Sequence, residues 1–394
     1  MKVNGSSPPY SRPFSSFGRT STSLFSSQQP TFGALASPSS GPSIWSAIQR
    51  IQSILLDRQD RAASGTNTSS DGGSNVYAEN KSITGNAVSG AKVGGKFLDV
   101  KSVSMQYVQS TATDSKFTSK TIYSSSFEGD RTSITADRVQ YAQINGDKSV
   151  VNVTTMTGGQ VGGDGVTINA VTVEGLLQVG GSGARITADQ LSYTQINGKG
   201  ASLTADKLGV VLINADDVSI SAETAGSISL RGGKNSVIVD KAIDIEAAAG
   251  NNSIKAKTVS SVSLAGGDDD ITVGTALGAI NAGAGNDRIS VDKAASVSGG
   301  RGNDTLTVGA GVQRVTFNAG DGADIVNAEK GTTIAFGAGL KRDDVQVVRD
   351  GDIYRISFAN SSDRITLNAG AATTSKLSFA DGTTMELSRE TIEA

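Results

Sequence analysis

The sequence predicts an all-β protein whose body is an elongated parallel β-solenoid of the β-helix or β-roll type. Three observations lead to this prediction. Large apolar residues recur every eight to ten positions between Val218 and Ile334. All six prolines lie at or before Pro42. The chain has 48 glycines among its 394 residues, whereas aromatic residues make up only 5% of it.

Each observation has a physical reason in a solenoid. A nine-residue unit is one short strand and one turn, so two units form an 18-residue coil, and coils stack at about 4.8 Å. Every interior strand has neighbours on both sides and needs all its backbone N–H groups, which excludes proline. Tight turns favour glycine because it tolerates positive φ. The narrow interior needs few large aromatic side chains.

The N-terminal region has a different composition. Residues 1–42 are rich in Ser and Pro and predict a disordered tail, because such a segment buries too little apolar surface to fold. Residues 43–64 predict an amphipathic helix that caps the solenoid, with apolar residues at i, i+4, i+7 and i+11 from Ile44. Residues 65–75 predict a linker. The chain has no apolar run of the roughly 20 residues that a membrane-spanning helix needs, so no transmembrane segment is expected.

The chain from residue 76 onward divides into three predicted parts. Residues 76–263 are expected to form the β-solenoid body, 264–338 a β-roll, and 339–394 a C-terminal β capping domain. A long repeat supports a repeat architecture, because residues 132–147 match 184–199 at an offset of 52.

Composition excludes several functional classes. The chain has no Cys and no His, which removes disulfides, thiol nucleophiles, imidazole ligands and Ser-His-Asp triads. The remaining strong ligands are oxygen atoms, which suit Ca²⁺ or Mg²⁺. A net charge of −3 gives no basic field for nucleic acid, so no nucleic-acid partner is expected.

Four segments carry a shared glycine-aspartate motif, x-G-x-G-x-D-x-U-x, where U is a large apolar residue. The position-six aspartates follow one another at sequence intervals of 18, 17 and 20, about one coil each, which places them on one edge of the solenoid. Loop carbonyls and these carboxylates are expected to bind about three Ca²⁺ ions, one between each pair of neighbouring turns. The candidate ligands are Asp269, Asp287, Asp304 and Asp324 at position six, Gly267, Gly285, Gly302 and Gly322 at position four, and Asp268, Asn286 and Asn303 at position five.

The third segment, residues 299–307, reads GGRGNDTLT and fits the nonapeptide G-G-x-G-x-D-x-U-x in full. Over residues 264–394 the chain resembles RTX proteins, which carry haemolysin-type calcium-binding repeats. The C-terminal part is also similar to the domain that often follows such repeats. The matching residues there are Asp343, Asp344, Arg349, Gly351, Asp352 and the FADGT run at 379–383.

The resemblance implies a secreted, extracellular bacterial protein. RTX proteins leave the cell by type I secretion, read from the C-terminus, and fold on calcium outside. The resemblance thus implies that 264–338 is a calcium-binding β-roll and that 339–394 contains the secretion region. A structural, adhesive or host-interaction role would follow, with calcium, the secretion machinery and a host or matrix glycan or cell surface as partners. A second route is open, because the N-terminus has no Asp or Glu before Asp57. Type III effectors and the glycine-rich harpins often begin in this way.

An enzymatic alternative is a polysaccharide lyase or hydrolase on a β-helix. Five carboxylates in the body could hold Ca²⁺ or act as acid and base. The sequence shows no aromatic platform beside them, so the chain is predicted not to be an enzyme. These carboxylates are Asp137, Asp189, Asp206, Asp216 and Asp217.

Overall fold

The structure is a computed structural model that describes residues 76–359, 361–370 and 374–388. The described residues form a parallel β-solenoid of about 15 turns, which confirms the predicted fold class. The predicted tail at 1–42, helix at 43–64 and linker at 65–75 lie outside the described residues. Within the described residues, no helix is long and apolar enough to cross a membrane.

Most coils are one residue shorter than two nine-residue units would make them. Equivalent residues of neighbouring coils are most often 17 positions apart, as Thr132 and Ser149 are. A longer coil occurs where Thr167 pairs with Arg185. The length differs because the turns that close the coils vary and because some strands carry a bulge, as β11 does between Val173 and Leu176. The long sequence repeat therefore spans three coils, two of the common length and one that is longer by a residue.

The N-terminal coils are built from short strands, which pair in parallel with strands one coil later. They are β1 (Val76–Glu79), β2 (Ser82–Thr84), β3 (Ala87–Ser89), β4 (Lys92–Lys96), β5 (Asp99–Gln106), β6 (Gln109–Ser110), β7 (Lys116–Tyr123) and β8 (Ser126–Phe127).

The middle coils each contain one long strand that bends twice. In the first of them Ile134, Ala136, Val139, Ala142 and Ile144 are buried, and the inward-outward alternation is interrupted after Ala136 and again after Val139. Each interruption lets the strand turn a corner while its apolar residues still face the core. These strands are β9 (Ser133–Ile144), β10 (Val150–Val161), β11 (Thr167–Val179), β12 (Arg185–Ile196), β13 (Ser202–Ile213), β14 (Ser219–Leu230), β15 (Ser236–Ala247) and β16 (Ser253–Leu264).

In the motif region each coil again contains two shorter strands, and the parallel stack continues without a break. The strands are β17 (Asp270–Ala276), β18 (Ala279–Ala284), β19 (Arg288–Ala294), β20 (Ser296–Arg301), β21 (Thr305–Val312), β22 (Val315–Phe317), β23 (Ala323–Ala328) and β24 (Thr333–Phe336).

The C-terminal region both completes and closes the solenoid. It has a 3-10 helix at Arg342–Asp344 and five strands: β25 (Val345–Asp350), β26 (Ile353–Phe358), β27 (Arg364–Ala369), β28 (Ser375–Ser378) and β29 (Thr384–Leu387). Strands β27 and β28 stack in parallel on β23 and β24 and form the last coil. The other strands pair antiparallel beside them. The ring of Phe336 packs against Phe358 and Phe379, with centroids 5.1 and 5.2 Å apart.

The parallel ladder predicts a strong penalty for proline even at an exposed side chain. Thr187 faces solvent in β12 and pairs with Asn169 and Thr204 in the flanking coils. We expect Thr187→Pro to lower the free energy of unfolding by about 1–3 kcal/mol through the unpaired ladder group alone. Thr187→Ala should change it by less than about 1 kcal/mol. Urea denaturation would measure both, and equal effects would contradict the ladder argument.

Candidate functional site

A ladder of inward polar side chains begins well before the motif region. Each member lies at or just before the start of a strand, and its side-chain oxygen accepts the backbone N–H of the equivalent residue one coil earlier. The hydroxyl of Ser149 accepts from Thr132 N at 3.1 Å, and Oδ1 of Asn235 accepts from Val218 N at 2.9 Å. Such bonds satisfy backbone donors that the turn would otherwise leave unpaired.

The four motif aspartates continue this ladder, and we call them the aspartate ladder. Oδ1 of Asp269 accepts from the backbone N–H of Asn252 at 2.6 Å. Asp269 N in turn donates to Oδ1 of Asp287, Asp287 N to Asp304 and Asp304 N to Asp324, at 2.8, 2.8 and 3.0 Å. The predicted stacking of the four residues at one edge is therefore observed, one aspartate in each successive coil.

The carboxylates of the aspartate ladder are buried, with exposures between 1% and 5%. Their second oxygens set them apart from the serines and asparagines of the same ladder. Oδ2 of Asp269, Asp287 and Asp304 is buried and has no hydrogen-bond partner within the described residues. A buried acceptor without a donor is costly, and it calls for either a proton on the carboxyl or a bound cation.

Glycine makes room for one of these oxygens. A Cβ atom added at Gly299 would overlap Oδ2 of Asp304. Gly299 is position one of the same motif copy, so this carboxylate oxygen rests against the start of its own loop. In this copy the glycine at position one therefore leaves space for the carboxylate, whereas Ala282 holds the same position in the second copy.

The position-four glycines allow neighbouring turns to approach each other closely. Gly302 has φ of +147°, and a Cβ there would overlap the carbonyl oxygen of Gly285. A Cβ on Gly285 would overlap Gly267 O, and one on Gly322 would overlap Gly302 O. The backbone N–H of Gly285 donates to Arg301 O one coil later. These glycines are structural requirements of the stacked turns, and their carbonyl groups lie in the same loops as the aspartates.

The position-five residues are separate from the aspartate ladder. Asp268, Asn286 and Asn303 are exposed. Their side chains cap backbone N–H groups in the following coil, as when Asn286 N donates to Oδ1 of Asp268 at 2.7 Å and Asn303 N to Oδ1 of Asn286 at 2.9 Å. The structure gives these predicted ligands an outer capping role, and the charge of Asp268 adds to the effect of burial in raising the pKa of Asp269 and Asp287.

Two buried acids near the C-terminal end of the ladder were missed by the sequence prediction. Asp321 is 5% exposed, and its Oδ2 accepts from Asn318 N at 2.6 Å. Asp363 is 3% exposed and accepts from Gly320 N and Gly322 N at 2.8 and 3.1 Å. Asp321 is position three of the fourth motif and could have been noticed. Asp363 is distant from Gly322 in the sequence, and no motif spacing pointed to it.

Burial controls the acidity of the ladder. It raises the pKa of Asp269 and of Asp287 to about 6, even though backbone N–H donors oppose the shift. Burial raises the pKa of Asp304 to about 7 and that of Asp324 to about 8. The negative charges of Asp304, Asp321 and Asp363 add to the shift at Asp324.

The residues of the aspartate ladder could hold cations only between neighbouring coils, as a row of separate sites. Among the residues that the structure describes, no three carboxylates converge closely enough to hold a metal ion by themselves. Each interval of the ladder offers at most two carboxylates, so the other ligands would have to be loop carbonyls and water. The unpartnered Oδ2 atoms supply donors of the hard oxygen type that Ca²⁺ prefers.

The carboxylates of the enzymatic alternative are spread over the surface. Asp189 and Asp206 lie at the same bend in consecutive coils, and Asp137 lies at that bend three coils before Asp189. Asp216 caps Gly233 N at 2.8 Å, and Asp217 pairs with Lys199 at 3.0 Å. The five residues belong to two separate edges of the coil rather than to one cluster.

The comparisons with known proteins give no relative. No protein-family model matches the chain, and no curated protein and no solved structure matches it significantly.

Replacing a position-four glycine with alanine is predicted to cost more stability than the backbone strain of a positive φ alone, because the neighbouring turn lies so close. Gly302→Ala should lower the free energy of unfolding by at least about 2 kcal/mol, because backbone strain is joined by overlap with Gly285 O. Gly183 is the matched control, since it has φ of +65° but no atom within 4 Å of an added Cβ. Gly183→Ala should cost about 1 kcal/mol. Equal losses in chemical denaturation would show that the close approach is unimportant.

The buried carboxyls predict a pH-dependent stability in the absence of divalent cations. The folded pKa values of about 6 to about 8 lie above the ordinary value of 3.8. Their stabilising contribution is therefore complete below about pH 4 and is lost as the pH rises through the folded values. We expect the melting temperature in chelator to fall between about pH 5 and pH 8.

The control for this pH dependence replaces all four ladder aspartates with asparagine. Asparagine already occupies the ladder at positions 235 and 252, so the N–H caps are kept while the ionisable groups are removed. The variant should lose most of the slope of melting temperature against pH. A flat profile in the parent protein would contradict the assignment of raised pKa values.

Proposed function

We propose that this protein is a secreted calcium-binding β-solenoid, in which the aspartate ladder binds Ca²⁺ outside the cell. The observation that carries the proposal is the row of three consecutive buried Oδ2 atoms without a hydrogen-bond donor within the described residues. Asparagine fills the same ladder position without leaving a charge, so the N–H cap does not explain why carboxylates are used. A bound cation would explain both the charge and the unpartnered oxygens.

Calcium fits the donor set better than other biological cations. The chain offers no thiolate and no imidazole, which removes the usual ligands of zinc and copper. Mg²⁺ demands near-octahedral geometry at short distances, whereas Ca²⁺ accepts six to eight oxygens in flexible arrangements. Ligand spacing here is imposed by the stacking of coils, which favours the more tolerant ion.

The affinity expected of such sites supports an extracellular setting. Sites that use few carboxylates have dissociation constants of about 10⁻⁴–10⁻³ M, and such sites fill only outside the cell. The chain would then reach full stability after export, because binding to the folded state adds to the free energy of unfolding. The similarity of the motif to RTX repeats supports type I secretion, and the acid-free N-terminus supports the type III route.

We propose a binding role, structural, adhesive or directed at a host, rather than catalysis. The five carboxylates of the lyase or hydrolase alternative do not meet at one point, and two of them have backbone or lysine partners. Glycoside cleavage needs a general acid and a second carboxylate at one scissile bond, and among the five only Asp189 and Asp206 stack at the same bend in neighbouring coils.

Calcium titration of two single variants tests the proposal. Asp304 has an aspartate on both sides of it in the ladder, whereas Asp269 has Asn252 on one side. We expect Asp304→Asn to lose about two bound ions per chain and Asp269→Asn about one, because each interval shares ligands between coils. Isothermal titration and calcium analysis of the dialysed protein would measure both losses.

Asp292→Asn is the control, since Asp292 is an exposed acid of the same region outside the ladder. It should bind as many ions as the parent chain. Calcium should also raise the melting temperature of the parent chain, and Mg²⁺ should do so much less. Equal losses at Asp304 and Asp269 would contradict the shared intervals, and the absence of any calcium-dependent stabilisation would refute calcium binding.

A further inference from the structure

A row of tyrosines runs along one corner of the solenoid, far from the aspartate ladder. The rings of Tyr107 and Tyr123 pack edge to face with centroids 5.6 Å apart, and Tyr123 packs in the same way on Tyr141 at 6.1 Å. All three are partly exposed and belong to consecutive coils, at the second bend of the strands. Tyr123 lies one position before the column that Tyr107 and Tyr141 share, and its ring bridges the two.

The same corner stays apolar in the following coils. Gly158 occupies the position of Tyr141 one coil later, and a Cβ there would lie 3.4 Å from the Tyr141 ring. Leu176, Tyr193 and Val210 follow in register, and Tyr193 and Val210 are 37% and 42% exposed. We call this row, from Tyr107 to Val210, the tyrosine ridge. It crosses six coil steps, or about 29 Å.

A row of glutamines runs parallel to the ridge, two residues further along each strand. Strand pairing aligns these residues in one column, broken by a serine at Ser126. The members of this glutamine row are Gln109, Gln143, Gln160, Gln178 and Gln195. Amide side chains both donate and accept hydrogen bonds. Oε1 of Gln178 is buried and Nε2 of Gln195 donates to Asn197 at 3.2 Å, so Gln178 offers its N–H groups and Gln195 its carbonyl, beside the amides of Gln109 and Gln143.

Ionic groups are scarce beside the ridge. The strand column that precedes it contains Gln106, Tyr123, Gln140, Thr157 and Glu174. Glu174 is the single carboxylate or basic side chain in this column, the ridge and the glutamine row over these coils. Exposed basic side chains are set back from the ridge, three residues before Tyr123, Tyr141 and Val210, at Lys120, Arg138 and Lys207. A polyanion or an anionic lipid surface would therefore find a cation beside only some of the coils and none on the ridge itself.

Two ridge tyrosines occupy a backbone conformation that favours glycine. Tyr107 and Tyr141 have φ of +53° and +54°, and Gly158 takes φ of +61° at the same corner. Glycine therefore fits this corner without strain, whereas tyrosine is disfavoured there. The fold alone does not call for aromatic side chains at these positions.

We propose that the tyrosine ridge and the glutamine row bind a neutral polysaccharide chain that lies along the solenoid axis. Sugar rings present C–H faces that pack on aromatic rings, and their hydroxyls both donate to and accept from amides. A linear polymer suits an open row that repeats at every coil. A peptide adding as a strand would need an unpaired edge, and the strands here are paired on both sides.

Affinity electrophoresis of the full chain tests this proposal. The probes are neutral hexose polymers, namely mixed-linkage β-glucan, glucomannan and amylose, with polygalacturonate as an acidic polymer and phosphatidylcholine vesicles as a lipid surface. The gels contain chelator, so that the result does not depend on calcium binding by the aspartate ladder. We expect at least one neutral polymer to retard the protein, and polygalacturonate and vesicles not to bind it.

The variant Tyr141→Ala/Tyr193→Ala should weaken binding by about tenfold or more, since it removes two stacking surfaces. Gln143→Ala/Gln178→Ala should weaken it as well. Tyr77→Ala is the matched control, because Tyr77 is 76% exposed but lies in the first coil and outside the ridge. It should bind like the parent chain.

Circular dichroism and melting curves establish that each variant is folded, and a second pair, Tyr141→Phe/Tyr193→Phe, keeps the rings. That pair should retain most of the binding. Failure of the parent chain to bind any neutral polymer, unchanged binding after removal of both rings, or binding to polygalacturonate or vesicles alone would overturn the proposal.

Discussion

The stacking of each coil on the next through a continuous parallel ladder is the constraint on which the rest of the structure depends. Because strand spacing is set by backbone hydrogen bonds, equivalent residues of successive coils are held at about 4.8 Å. Proline is excluded, and a turn that approaches its neighbour needs glycine, as at Gly285 and Gly302. The same constraint turns single residues into columns, so that a serine, an asparagine or an aspartate acts together with its counterparts above and below.

In the aspartate ladder, a position that serves to cap a backbone N–H group also carries an ionisable carboxyl. Capping the N–H of the previous coil requires only a side-chain oxygen, and Ser149 and Asn235 supply it without charge. Replacing them with carboxylates adds the desolvation of a buried anion and repulsion between neighbours, which the raised pKa values of Asp304 and Asp324 reflect. Charge at these positions therefore destabilises the fold, and the stability depends on whatever neutralises the carboxylates.

The sequence was sufficient to predict what depends on periodicity, and insufficient for what depends on how the strand bends. The spacing of apolar residues and the confinement of proline predicted the solenoid, and the coil-length gaps between the motif aspartates predicted their alignment. The motif did not reveal that these side chains point inward, because that depends on the capping of the preceding coil. Asp363 was missed because an insertion separates it from Gly322. The tyrosine ridge was missed because Tyr107, Tyr123 and Tyr141 come together only when the strand turns its second corner.

The hydrogen bonds that Asp363 accepts have a consequence for the order of folding. Coils that touch only their neighbours can form one after another from any starting point, as a front that moves along a line. The bonds from Gly320 and Gly322 to Asp363 are different, because they join residues 43 and 41 positions apart in the chain. Closing such a loop costs conformational entropy before its contacts form, so this end of the solenoid is expected to fold late. If folding proceeds coil by coil, the last part to fold is thus the end where the buried carboxylates lie closest together.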